Sequence, residues 1–212
     1  MTGRDELESI FAAERSLRLA EQRLMDRNQT ELAELLAGAV KEAATLRDEA
    51  EVALRLERLS DLCAQVDHER MASLLIEILD CELPSVRLAA SEALVDVAYD
   101  RYADVARAVE RKALHPEGPG AAELPWIIAE IAEPSAAALI ARFLTAKDGD
   151  VVGSAIEALA SLGDPSAIDL VQPLCGDPRE VELEEDDGSM CATVGELATE
   201  AIEQLKGLLP RS

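Results

Sequence analysis

The 212-residue sequence predicts an all-α protein, a right-handed α-solenoid of stacked helical hairpins, and three observations carry that expectation. Apolar residues recur every three or four positions along most of the chain. The apolar residues are mainly Leu, Ala, Ile and Val, and aromatics make up only 2%, which favours closely approaching helices over strands. One stretch, 148–177, shows a complete helix–turn–helix unit. In it Val151, Val152, Ala155, Ala158, Leu159 and Leu162 form one stripe. Gly163 ends that helix, Asp164 can cap the next, and Pro165 fits its first turn. Ile168, Leu170, Val171 and Leu174 supply the second stripe. Neither helix can bury its stripe alone, so such units must stack.

In chain order, residues 5–26 predict a first helix with Ile10, Ala13, Leu17, Ala20 and Leu24 at the spacing of a packing seam. It is too short for a coiled-coil reading, and docking on the array is expected. Asn28 starts a second helix through Leu32, Leu35, Leu36, Ala39, Val40 and Ala43, and the polar run 45–51 breaks it. Residues 1–51 are therefore expected to pack as N-terminal helices on an array spanning 52–212.

Leu59, Leu62, Cys63 and Val66 then face one way, and Asp67 is expected to cap a helix through Met71, Leu74, Leu75, Ile78 and Leu79. Helices over 85–98 and 101–114 follow, and 115–120 (HPEGPG) reads as a loop. Another helix over 121–132 carries the only tryptophan, Trp126, and Pro134 starts the next. A last helix is expected over 190–208.

Set side by side, the second helices share one pattern of offsets. Val86, Ala90, Ala93 and Leu94 recur as Val151, Ala155, Ala158 and Leu159, and again as Val194, Ala198, Ala201 and Ile202. Leu124, Ile128, Ile131 and Ala132 fit between them. Such periods mark helical solenoids, here of about five pairs.

On these residues, together with Asp80, Pro84, Arg87, Asp148, Asp150, Gly163, Asp164, Pro165 and Ala167, the chain resembles the HEAT-repeat family over about residues 52–206. It is most similar to the short bacterial repeats shared with phycobilin-lyase-like proteins. The resemblance implies stacked hairpins whose second helices line a concave face. It also implies Asp–Arg links between neighbouring turns. Arg87 keeps that arginine, whereas Val152 and Gly195 stand in its place later.

Formal net charge is −23, concentrated in residues 67–212, which carry −18 against −5 before them. Such a field repels nucleic-acid phosphates and anionic lipid, and it attracts a basic partner. No leader or membrane span is visible, and Cys63, Cys81, Cys175 and Cys191 read as unpaired thiols of a cytoplasmic protein.

The segment 176–189, GDPREVELEEDDGS, is an acidic insertion in which Glu180, Glu182, Glu184, Glu185, Asp186 and Asp187 face Arg179 alone. It reads either as a solvated loop or as an electrostatic lure. Trp126 reads as core or as an interface anchor. Outward positions on the second helices are Arg87, Ser91, Glu92 and Asp96, then Ser154, Glu157 and Ser161, then Glu196, Thr199, Glu200 and Glu203.

His68 and His115, the only histidines, lie in no zinc spacing and near no nucleophile motif, and no glycine-rich phosphate loop is present. The expectation is a non-enzymatic adaptor or scaffold, without cofactor or metal. Its acidic inner face, with Trp126, would bind a basic protein surface. An inhibitor of a basic toxin is one alternative. A tetrapyrrole lyase or isomerase, implied by the lyase-like repeats, is another.

Overall fold

A computed structural model describes residues 2–185 and 188–208. Helix α1 spans Gly3–Met25, α2 Gln29–Ala43, α3 Glu49–Gln65, α4 Arg70–Leu79 and α5 Pro84–Lys112. Then come α6 (Leu124–Ile131), α7 (Ala136–Ile140), α8 (Gly149–Leu162), α9 (Ala167–Val171) and α10 (Val194–Gly207). Short 3-10 turns extend α7 and α9. Helix α5 is two helices joined at Arg101, whose φ of −139° and ψ of 50° break the ladder. The two expected helices over 85–98 and 101–114 are thus both present, fused at that residue.

The array pairs α2 with α3, α4 with the first half of α5, its second half with α6, α7 with α8, and α9 with α10. Offsets read from the sequence fall on the buried side at Val86, Ala90, Leu94, Val151, Ala155, Ala158, Leu159, Val194 and Ala198. In the set 124–132, Leu124 and Ile128 are buried, but Ala132 is exposed past the end of α6. Burying each large apolar side chain contributes about 1.5–3 kcal/mol, and the alanines let neighbouring backbones close up.

Polar ties between units repeat the period in a second register. Arg101 donates to the His68 carbonyl, 33 residues back. Lys112 meets Asp80 at 2.5 Å, 32 residues back. Arg142 meets Glu110 at 2.9 Å, again 32 back. The Ser154 hydroxyl donates to the Ala122 carbonyl at the same separation.

Helix α8 begins and ends as its residues dictate. The Asp148 carboxylate accepts from the Asp150 amide, and Gly163 closes the helix at φ 69°, a left-handed geometry that disfavours any side chain. Elsewhere the expected caps differ. Asp67 does not cap α4; its carboxylate faces Arg101, and His68 Nδ1 accepts from the Arg70 amide instead. Leu170, expected on the inner stripe of α9, is exposed.

The two N-terminal helices behave differently. Helix α2 buries Leu32, Ala33, Leu36, Ala37, Val40 and Ala43 against the array, so it is the first helix of the first pair. Helix α1 buries no residue. Its expected docking reduces to the last turns, where Leu24 and Met25 pack on the core and Glu21 pairs with Arg58. Ile10 and Leu17 of its seam are 61% and 44% exposed.

One departure from an all-helical chain is local. Residues 180–185 and 188–193 form antiparallel strands β1 (Glu180–Glu185) and β2 (Gly188–Thr193), with Glu180 opposite Thr193 and Val181 opposite Ala192. The last helix consequently starts at Val194, four residues later than expected, where Thr193 and Glu196 form a reciprocal cap.

Candidate protein-binding groove

Second helices α6, α8 and α10 turn one side to solvent, and β1 closes the end of that surface. The result is a groove of about 630 Å³ lined by Ser91, Trp126, Glu130, Asp150, Glu157 and Glu182, among others. A smaller depression of about 270 Å³ continues it past Trp126 and Glu157 to Glu200 and Gln204. Trp126 and Glu157 line both.

Each side chain is held by the fold. Trp126 sits in the first turn of α6, whose Leu124, Ile127 and Ile128 are buried, so its own position faces outward. It is 43% exposed, and of the two readings of this residue the core one is corrected. Glu130 lies one turn on, on the same side of the helix.

Glu157 is half-buried on α8, between the buried Ile156 and Ala158. Desolvation raises its pKa above the ordinary glutamate value, and the nearby Glu200 charge raises it further.

The acidic insertion is no free loop at its base. Val181 is buried against α8, where a methyl group at Gly153 would stand 2.8 Å from Val181 Cγ1. The Glu182 amide donates to Asp150 Oδ1 at 2.9 Å. Arg179 is gripped by Asp177 and donates to the Ala146 carbonyl at 2.6 Å, 33 residues back. The same contact holds the Asp177 carboxyl below its usual range. Arg179 thereby makes the kind of turn-to-turn link that Arg87 makes earlier, at a place the repeat pattern does not mark. Glu182 is exposed at the groove wall. Glu184 and Glu185 are described as β1 backbone only, and Asp186 and Asp187 lie outside the described residues.

Other expected positions divide in two. Glu92 and Asp96 are exposed on the first half of α5, but neither lines this groove. Glu196 and Glu200 are exposed on α10, where with Thr199 and Glu203 they border a neighbouring depression. Arg87 is a brace, not a docking residue: its guanidinium meets Glu123 at 2.7 Å and donates to the carbonyls of Cys81 and Glu82.

Glu130, Asp150 and the Glu123 partner of Arg87 were missed from sequence. Glu130 was findable, because it lies four residues after Trp126 on one helix. Among the described residues no three His, Cys, Asp or Glu side chains converge as a metal site. Cys63 is buried, with its thiol pushed up to about 12 by desolvation. No described helix is long and apolar enough to cross a membrane.

Residues 111–185, which supply α6, α8 and much of the groove, match the family model for HEAT repeats. No curated protein matches the chain. Among solved structures, a crystal structure of an engineered protein from the Northeast Structural Genomics Consortium is 18% identical. That likeness covers 89% of this chain and 95% of the other, at a TM-score of 0.36. So loose a likeness carries no argument.

Proposed function

We propose that this chain, a HEAT-repeat protein, is a binding module whose acidic groove receives a basic segment of a partner protein. HEAT repeats generally mediate protein–protein interaction, and the fold is typically a non-enzymatic scaffold. The single observation behind the finer reading is Trp126, 43% exposed in a groove whose charged lining is entirely carboxylate. An Arg or Lys side chain laid over an indole face gains a cation–π contact of about 0.5–2 kcal/mol. Glu130, Glu157 and Glu182 would pair the same cation or its neighbours, and the field of the C-terminal units would steer the encounter.

Partner contact also resolves the one electrostatic strain in the groove. Burial and then the Glu200 charge raise the cost of ionising Glu157, and a cation beside it would lower that cost. A tetrapyrrole lyase needs a reactive group, and neither histidine nor any cysteine lines this groove. The lyase reading is therefore not favoured. A basic toxin remains one member of the partner class proposed.

The test is affinity capture with the full chain, with captured proteins identified by mass spectrometry. Basic proteins should be enriched, released as salt rises, and lost with Trp126→Ala. Capture indifferent to ionic strength contradicts the electrostatic part.

A further inference from the structure

We propose that the N-terminal half of α1 docks in a groove of a second copy of this chain, and that the exchange is reciprocal. Two contacts fix where α1 lies. Glu21 pairs with Arg58, and Leu17 shares a groove wall with Leu54. Both partners advance by four residues, so α1 runs parallel to α3. Helix α3 begins at Glu49, so the residues of α1 before Ala12 extend past its end as an arm. Leu7, Ile10 and Phe11 of this arm are 54%, 61% and 51% exposed. An isolated helix of this length is marginal in water, so a persistent arm needs a partner for that face.

The receiving surface lies beside the root of the same helix. A groove of about 470 Å³ is lined by Leu17, Ala39, Leu54, Leu59 and Leu62, with Arg55, Arg58 and Glu42 as its charged residues.

Charge selects a second copy, and selects an antiparallel one. The arm carries Asp5, Glu6 and Glu8 against Arg4. The root of α1 carries Arg15, Arg18 and Arg23 against Glu14 and Glu21, and the groove rim adds two arginines against Glu42, so root and rim together keep a net positive charge. Laid antiparallel, each acidic arm meets the other copy's basic root and rim. The net charge of the chain is −23, so most of its surface repels a second copy; α1 is nearly neutral and offers the least repulsive face for self-association. The contact is isologous: each copy gives one arm and one groove, which doubles the apolar area covered and closes the pair without further growth.

The test is sedimentation equilibrium of the full chain over about 1–100 µM, where a dimer must be concentration-dependent. The wild-type chain should approach twice 22.8 kDa. Ile10→Glu on the arm and Leu54→Glu on the groove should each return it to the single-chain mass. Both sites are exposed, so thermal unfolding followed by helical circular dichroism should confirm that each variant is folded. Raising salt should weaken the wild-type dimer several-fold. A wild-type chain that stays at the single-chain mass overturns the proposal, whatever else its arm then captures. A dimer that survives both substitutions overturns it too.

Discussion

Helices α1 and α8 carry the same local signal and meet opposite fates. Each has apolar residues at helical spacing and a capping side chain at its start, Thr2 and Asp148 respectively. Helix α8 buries nine of its 14 residues, while α1 buries none of 23. The difference lies in the neighbours. Val151, Ala155 and Leu159 are flanked by α6, α7 and α10, which present matching small and branched residues. Leu7, Ile10 and Phe11 extend beyond the start of α3 and, among the described residues, do not join the core. Periodicity therefore tells that a face wants covering, and only the length and offset of neighbouring elements tell whether the chain covers it.

The largest effect that sharpens this contrast is Leu159→Ala. The side chain is fully buried, and truncation should destabilise the chain by about 2–5 kcal/mol. Leu19→Ala, on the exposed side of α1, should stay within about 0.5 kcal/mol. Denaturant melts of the two variants check it, and equal losses would erase the distinction between the helices.

An intermediate effect is expected at the hairpin. Gly153→Val would overlap Val181 and Leu197, and overpacking there should cost about 1–3 kcal/mol. The hairpin should lift from α8, and trypsin should cut after Arg179 several-fold faster than in the wild type. Unchanged cleavage would show that the hairpin does not depend on that seat.

Charge in the groove gives the smallest effect. The folded pKa of Glu157 is raised, so the folded state holds its proton more tightly than the unfolded chain does. Stability from this group is fullest below the unfolded value of about 4.3 and is lost as pH rises through the folded value. Glu157→Gln removes that loss. At pH 7 it should stabilise the chain by less than about 0.5 kcal/mol, because half of the side chain remains wet. The gain should vanish near pH 4. A variant less stable at pH 7 would mean that Glu157 makes a favourable contact in the free protein.

Most of the array was legible because each unit repeats its reasons. Gly163 as terminator and the shared offsets of Val86, Val151 and Val194 hold in three dimensions, whereas Asp164 turns the chain ahead of α9 by accepting from the Ser166 amide and does not cap the helix itself. The hairpin was not read, although its signal was present. Val181 and Leu183 alternate with Glu180, Glu182 and Glu184 at the period of a strand, and the charge run hid that alternation. Arg179 was passed over for a related reason. It sits outside the repeat pattern, yet it reaches the Ala146 carbonyl because the hairpin brings it there. Of the groove, Glu157 and Glu200 followed from helical register. The place of Trp126 did not, since a tryptophan in a first turn suits core and surface alike.

Trp126 is the only tryptophan, so its fluorescence reports the groove and nothing else in the chain. The most direct test of the account is a titration of the full chain with an Arg- and Lys-rich peptide, followed at once by indole emission and by calorimetry. The account predicts a saturable change in emission that tracks the heat of binding and weakens as salt rises. Binding heat with unchanged emission, or no binding at low salt, would contradict it.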